Sequence, residues 1–483
     1  MRNASIQKII SSLLLLGGTT MVPPAIIGML EQDTTPFVFV NSAFILLALG
    51  GLLFWPVRKA HHDIRLRDGF IVVVAAWLTL GLGGALPFIM LDLPEISIVD
   101  AIFESMSGLT TTGATVLTGL DELPRGILFY RQQSQWLGGM GIIVLAVAIL
   151  PMLRIGGMQL YRAETPGPVK DNKLTPRITE TAKALWLIYL GLTVMCALAY
   201  WLGGMGIFDA VGHSFSTIAI GGFSTHDQSI AYFNSPLIES IAMVFMTLAG
   251  INFALHFLSW RRASTQPYFQ DTEFRVYLIL LVVLATMACA TLYLSSIYTT
   301  LGESVRYGFF QVISTMTTTG YTTAEFHLWP GFLPISLIMM GFIGGCAGST
   351  AGGMKVIRVI LLFRQAIREV HHLIHPNALV PIKLSGHSMS DKVMYAIWGF
   401  FFLYVSAFCI ISLLVTASGV DPITAFSAAG ACLTNLGPAL GQAGSSYAEL
   451  NDFAKLLLSF AMLLGRLEIF TLLVLFTPAF WRA

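Results

Sequence analysis

Apolar runs long enough to cross a hydrocarbon core, about 20 residues each, recur along the chain at 9–30, 38–56, 69–91, 126–153, 182–204, 236–259, 274–298, 331–363, 391–418 and 453–480. They predict ten membrane-spanning helices. Four shorter pieces, at 99–115, 209–223, 304–321 and 421–438, are apolar but rich in Gly, Ser and Thr, and each lies between two full spans. They are too short to cross, so each is expected to enter the membrane and return on the same side. The stretch from Met1 to Lys8 gives the first apolar run a basic flank like that of a signal sequence. The run is long and has no small-residue cleavage site, and it reads as a retained first span.

Composition agrees with a chain that lives in lipid: 55% of its 483 residues are hydrophobic and only 11% are charged. A net charge of +1 argues against nucleic acid as a partner, because a phosphate-binding surface needs a concentrated basic excess. Arg125, Arg131, Arg306, Lys455 and Arg466 lie on or toward one side and the remaining Lys and Arg toward the other, which places both termini in the cytoplasm by the positive-inside rule. The four short pieces then all open to the outer side. Cys196, Cys289, Cys346, Cys409 and Cys432 are scattered, without a CxxC pair or a His/Cys ligand spacing, and imply neither disulfides nor structural zinc.

The four short pieces align on one glycine. Ser107 to Ala114 (SGLTTTGA), Ser216 to Phe223 (STIAIGGF), Ser314 to Tyr321 (STMTTTGY) and Ala431 to Pro438 (ACLTNLGP) place Gly113, Gly222, Gly320 and Gly437 at one position, with Asp100 and Asp209 both 13 residues earlier. Non-helical backbone at membrane depth is tolerated where it is buried in protein or lines a cavity, and a ring of its carbonyls can replace an ion's hydration shell. Glycine permits the conformations that aim those carbonyls inward. The pairs Thr111-Thr112, Ile220-Gly221, Thr318-Thr319 and Asn435-Leu436 would add their carbonyls to the same column. A helix C-terminus aimed at that column favours a cation. Simple close packing of small residues explains one such segment, but it explains four in register poorly. The broken helices of a secondary transporter for an organic solute are the stronger rival. They imply inverted repeats, whereas these are parallel. The distinguishing feature is whether the four segments converge on one axis.

These segments resemble the pore hairpins of the Trk/Ktr/HKT superfamily of potassium uptake proteins. The likeness extends through Gln159 to Glu164, Pro168 to Lys173, Ile218 to Thr225, Gly344 to Thr350 and Phe470 to Phe476. It implies an all-α polytopic membrane protein of four span–hairpin–span repeats in pseudo-fourfold arrangement, preceded by the extra two helices that Trk members carry. The units are then 1–60 for the N-terminal pair, and 61–155, 156–262, 263–375 and 376–483 for pore repeats 1 to 4. Serine at the first filter position is associated with the sodium-selective plant members; Gly113 here favours potassium. Pro438 follows the fourth glycine where the other repeats have Ala114, Phe223 and Tyr321, so strict fourfold geometry is not expected at the fourth repeat. Also implied are a bacterial inner-membrane location, a homodimer, potassium as the bound and transported ion, and a TrkA-like cytosolic subunit that binds NAD, ATP and ADP. The flux is left open between channel-like and proton-coupled.

In the run 331–363, Gly344, Gly345, Cys346, Ala347, Gly348, Ser349, Thr350, Ala351, Gly352 and Gly353 should open the helix, since each Gly costs roughly 1 kcal/mol relative to Ala. An intramembrane loop beneath the filter is expected there, and the resemblance implies that it gates. Gly348 and Gly353 have P-loop spacing, but Met354 stands where the lysine is required and no strand precedes it. Arg466 is central in its apolar run, which makes it a functional candidate by default. It is expected either to face the pore below the filter and the glycine-rich loop or to serve as a structural pair. Glu468, two residues on, is a poor partner for it; Lys355 or Arg358 are the candidate partners of Glu468. His226 and Asp227 follow the second filter segment. Asp92, Glu95, Asp121, Glu122 and Glu325 share the outer side, where they would concentrate cations or simply form solvated loops. The basic stretches 154–183, 261–275 and 364–392 set topology, and the resemblance adds docking of the cytosolic subunit. With no HExxH, no GxSxG and no GxGxxG-bearing βαβ unit, the chain does not read as an enzyme and would borrow nucleotide control from its partner.

Overall fold

The computed structural model describes residues 2–59, 66–91, 95–144, 178–378 and 380–482. Resemblance segments 159–164 and 168–173, Asp92 and most of the basic stretch 154–183 lie outside them. The N-terminal unit is a helical hairpin of Ala4–Glu31 and Pro36–Val57. Four units with one element order follow. In the first, helix Leu66–Gly84 leads to pore helix Ile98–Leu109 and then to Arg125–Val144; in the second, Ile178–Leu202 leads to Ile207–Ala219 and Pro236–Ala249. The third runs Thr272–Leu294, Leu301–Met316, Leu333–Ile343, and the fourth Asp391–Ala417, Pro422–Leu433, Asp452–Arg466. A two-stranded antiparallel ribbon, Lys383–Leu384 with His387–Ser388, joins the third unit to the fourth.

Packing closes the four units into a ring. The second helix of each repeat lies against the pore helix of the next: Arg125–Val144 on Ile207–Ala219, Pro236–Ala249 on Leu301–Met316, Leu333–Ile343 on Pro422–Leu433, and Asp452–Arg466 back on Ile98–Leu109. The N-terminal hairpin packs mainly on the first repeat, against Leu66–Gly84 and Arg125–Val144. The burial pattern inverts that of a soluble protein. Phe37, Phe44, Leu52, Leu202, Leu294, Leu413 and many other large apolar side chains are exposed on the spans, while Ser107, Thr110, Thr217, Thr317 and Thr434 are fully buried at the pore-helix ends. In lipid this is the favourable arrangement, because helices there associate through small and polar contacts rather than by hiding apolar surface.

Three of the four pore helices start at side-chain caps. Ser97 accepts from the Asp100 N–H, Asp421 accepts from Ile423 and Thr424, and Thr300 with Glu303 forms a capping box. Each ends in the same way. The N–H of Thr112, Gly221, Thr319 and Leu436 reaches back five residues, to the carbonyls of Ser107, Ser216, Ser314 and Ala431, at 2.8 to 2.9 Å. This is the longer of the two bonds of a Schellman cap.

The spans expected from hydropathy are not all continuous. Among the described residues six helices are long and apolar enough to cross, or eight if two bent pairs are each counted as one span. One bent pair is Pro236–Ala249 with Phe253–Arg262, turning by 93°; the other is Asp452–Arg466 with Phe470–Phe476, turning by 109°. The run 331–363 is interrupted as its glycines suggest, between helices Leu333–Ile343 and Val356–Ile374. The second helix of repeats 2, 3 and 4 is therefore broken in each case.

Candidate functional site

The four aligned segments meet as a closed ring. A Cβ placed on Gly113 would fall on the carbonyl oxygen of Gly221; one on Gly222, on that of Thr319; one on Gly320, on that of Leu436; and one on Gly437, on that of Thr112 at 2.5 Å. Each glycine thus abuts the residue just before the glycine of the following repeat, and the fourth returns to the first. The hairpins converge on one axis, which is the arrangement that separates a pore from an inverted-repeat carrier.

Backbone conformation repeats with equal fidelity. Thr111, Ile220, Thr318 and Asn435 have φ between 54 and 65°, and the glycines two residues later have φ between 76 and 92°. A β-branched threonine or isoleucine at positive φ is strained. It persists here because the Schellman bonds and the ring contacts on either side over-determine it. Pro438 does not break the pattern: Asn435 and Gly437 hold the same signs of φ as their counterparts, so the divergent fourth segment keeps the geometry of the other three.

Side chains behind the ring differ from repeat to repeat. The Thr110 and Thr112 hydroxyls pair at 2.8 Å, as do those of Thr317 and Thr319. Asn435 donates to the Thr112 hydroxyl at 3.0 Å and to the Met462 carbonyl at 2.9 Å. In the second repeat, where threonines are missing, Gln135 grips the strand: its amide donates to the Gly221 carbonyl at 2.6 Å and accepts from the Phe223 N–H at 3.1 Å. Tyr447 donates to the Gly437 carbonyl at 2.7 Å.

Beneath the ring lies the glycine-rich loop, pinned from three sides. The Cys346 N–H donates to the Gly250 carbonyl at 2.9 Å, and the Phe253 N–H donates to the Gly348 carbonyl at 3.0 Å, so the breaks of repeats 2 and 3 are bonded to each other. The Gly352 N–H donates to the Thr318 hydroxyl at 2.7 Å, and the Gly353 N–H to the Thr434 carbonyl at 3.0 Å. A Cβ at Gly352 would collide with that Thr434 oxygen. Thr350 donates through its hydroxyl to the Ile218 carbonyl at 2.9 Å. The carboxylate of Glu273 accepts from the Ala347 N–H at 2.8 Å and the Ile357 N–H at 3.0 Å, clasping the loop to the helix that follows it.

Arg466 is 1% exposed and donates to the Thr350 carbonyl at 3.1 Å and to the Gly138 carbonyl at 3.3 Å. It thereby ties the glycine-rich loop to the second helix of repeat 1. Glu468 pairs with Arg358 at 2.6 Å. Lys455 pairs with Asp100 at 2.6 Å at the start of the first pore helix. Asp209, at the matching offset, accepts instead from the Thr225 hydroxyl at 2.7 Å and lies 3.6 Å from His226. His226 bonds to Asp121 and stacks on Tyr232 with ring centroids 3.4 Å apart. Burial pulls the His226 imidazole down, but the hydrogen bonds and charges of Asp209 and Asp121 outweigh it and hold its pKa above the ordinary value. The described acids Asp121, Asp209 and Asp100 therefore have assigned partners and are more than solvated loop residues.

One buried pair is absent from the sequence expectations. Arg131, counted there only for topology, meets Glu104 of the first pore helix at 2.7 Å, with side chains 1% and 0% exposed. The signal was available: Arg131 lies six residues beyond Arg125, inside the apolar run 126–153, where an ionisable group is a functional candidate. Among the described residues no group of His, Cys, Asp and Glu is arranged to hold a metal ion by side chains. Any cation in the ring would rest on backbone oxygens.

Re-entrant helices closing on one axis within a helical bundle define a multi-pass membrane transport protein. Residues 35–483 match the TrkH family, described as cation transport proteins. The chain is 54% identical over 477 residues to the Trk system potassium uptake protein TrkH of Halomonas elongata, and 51% identical over 478 residues to that of Escherichia coli, covering 99% of each chain. It superposes on the crystal structure of the potassium transporter TrkH from Vibrio parahaemolyticus with a TM-score of 0.93, at 49% identity and over 100% of both chains. The chain belongs to the TrkH family. These relatives are named as uptake proteins, not enzymes.

Proposed function

We propose that this chain is the pore-forming unit of a potassium uptake system. The observation that carries the reading is the closed ring, in which each of four glycines abuts the carbonyl preceding the next. The filter consists of Thr111, Thr112, Gly113, Ile220, Gly221, Gly222, Thr318, Thr319, Gly320, Asn435, Leu436 and Gly437. Potassium is bound there by backbone carbonyls at the negative ends of four pore helices. The glycine-rich loop from Gly344 to Gly353 closes the path below, with Arg466 holding it. The names of the relatives, potassium uptake proteins of the Trk system, support potassium as the ion. The pattern of Lys and Arg supports cytoplasmic termini in a bacterial inner membrane. The same likeness supports a homodimer and a TrkA-like nucleotide-binding partner docking on the basic cytoplasmic stretches. The ring favours this reading over an organic-solute carrier, because its four parallel repeats converge on one axis instead of pairing as inverted halves.

The test is monovalent-cation flux into proteoliposomes, comparing K⁺, Rb⁺, Na⁺ and Li⁺. Wild type is expected to take up K⁺ and Rb⁺ selectively. Gly113→Ser places a side chain on the Gly221 carbonyl at a φ of 81°, and is expected to lose most discrimination. Unselective wild-type flux, or a mutant with unchanged ratios, would remove the filter reading.

A further inference from the structure

We infer that the buried Glu104–Arg131 ion pair is a specificity-determining strut that sets the spacing of filter segments 1 and 2, a conclusion that rests on the filter reading above. Arg131 donates through Nε to Glu104 at 2.7 Å, through Nη2 to the Thr115 hydroxyl at 3.0 Å and through Nη1 to the Ser224 carbonyl at 3.2 Å. Thr115 and Ser224 occupy one position in their repeats, each two residues beyond its filter glycine. A single guanidinium therefore spans the outer ends of two neighbouring segments. The Glu104 carboxylate completes the bracket on the first segment by accepting from the Val116 N–H at 2.9 Å and the Thr115 hydroxyl at 3.0 Å. The guanidinium also lies 4.2 Å above the Phe223 ring, next to Gly222.

The other joints at this level are held differently. Between repeats 2 and 3 the Ala231 N–H donates to the Thr322 carbonyl at 3.2 Å, and Thr322 again stands two beyond its glycine. Between repeats 4 and 1 the Tyr447 N–H donates to the Thr115 carbonyl at 2.9 Å. Ion pairs cross two other joints at the pore helices, Arg306 with Glu239 at 2.6 Å and Lys455 with Asp100 at 2.6 Å, but at the level two residues beyond the glycines it is the paired Arg131 guanidinium that crosses from repeat 1 to the Ser224 carbonyl of repeat 2. The joint of repeats 1 and 2 is also where the second segment lacks the threonine pair of segments 1 and 3. Gln135, one helical turn beyond Arg131, holds the inner part of that segment at Gly221 and Phe223. Arg131 and Gln135 thus fix the second segment at both ends from one helix face.

A buried ion pair is weak evidence for stability, since well-packed apolar residues of similar volume often serve as well. The planar fork of the guanidinium, with one nitrogen on each of Glu104, Thr115 and Ser224, is what an apolar pair cannot reproduce. Discrimination between cations depends on carbonyl positions held to fractions of an ångström. The strut acts by positioning and touches no ion.

The experiment compares wild type, the double variant Glu104→Leu with Arg131→Met, Arg131→Lys and Gly113→Ser. The readouts are K⁺-to-Na⁺ flux ratio in proteoliposomes, melting temperature and elution profile. The double variant is expected to fold and conduct, with the ratio reduced roughly fivefold or more. If it does not fold, Arg131→Lys decides: one ammonium cannot serve Glu104, Thr115 and Ser224 together, so the ratio should fall while the charge is kept. A folded variant with the wild-type ratio, alongside a Gly113→Ser that loses it, overturns the strut and leaves the filter standing. Unchanged ratios in all variants overturn both.

Discussion

The side chains around the ring bond mostly to backbone and seldom to one another. Gln135, Arg466, Glu273 and Tyr447 each reach a carbonyl or N–H of an irregular segment, because such segments leave backbone groups that lipid cannot satisfy. His226 instead bonds side chain to side chain, its imidazole facing the carboxylates of Asp121 and Asp209 across the joint of repeats 1 and 2. Partial burial raises the Asp121 carboxyl, but the His226 bond and the Asp227 N–H outweigh it and hold its pKa below the ordinary value. Since the folded pKa of His226 is raised, the stability from this bridge is complete below the unfolded imidazole value of ~6.5 and is lost as pH rises through the folded value. Since that of Asp121 is lowered, its share fades only when pH falls through its own folded value. The difference in melting temperature between wild type and His226→Gln should be largest in the mildly acidic window and shrink as pH is raised. A difference that grows with pH would contradict the assignment. At this scale Arg466 was legible from the sequence because it stands alone in an apolar run. Arg131 was hidden beside the interfacial Arg125, and Glu104 by its place in a short Ser- and Thr-rich helix.

The broken spans show what hydropathy can and cannot disclose about an element. The loop at Gly344 to Gly353 was visible because so many glycines cannot sustain a helix. The turn after Ala249 contains one glycine and a capping asparagine: Asn252 accepts from the Ala254 N–H at 2.9 Å. The turn after Arg466 contains no glycine at all, only Glu468 and Ile469 at φ of 53 and 54°. Neither is written in local composition. The first is held by its bonds to Cys346 and Gly348, and the second by the ion pair of Glu468 with Arg358. Glu273 is the clasp at the start of this assembly, and Glu273→Leu frees both ends of the loop. Each hydrogen bond to backbone is worth about 0.5–1.5 kcal/mol, and two are lost together. If the loop closes the path, K⁺ flux through the purified chain alone should rise by roughly tenfold or more, since 1.4 kcal/mol is a factor of ten. Flux unchanged with the protein intact would show that the clasp does not hold the closed state.

Across the whole molecule the fourfold plan was legible because four glycines align without gaps. The joints between repeats were not, because residues such as Thr112 and Gly437 meet only after the chain has gone once round the axis. Glycine substitutions distinguish the ring from the periphery. Gly222→Ala meets the Thr319 carbonyl and should abolish selective uptake. At Gly191, within the span Ile178–Leu202, nothing lies within 4 Å of an added Cβ. Gly191→Ala should leave flux ratios alone and stabilise by about 0.5–1 kcal/mol; uptake and thermal unfolding measured side by side check both.

That the ring is one polypeptide has a consequence for heredity. In a pore assembled from four identical chains, a single codon change alters every wedge at once, so a device needed in one quadrant must be accepted in all. Here each quadrant answers to its own stretch of gene. An arginine, a loop or an ion pair in one quadrant can be acquired, tuned or lost without touching the other three.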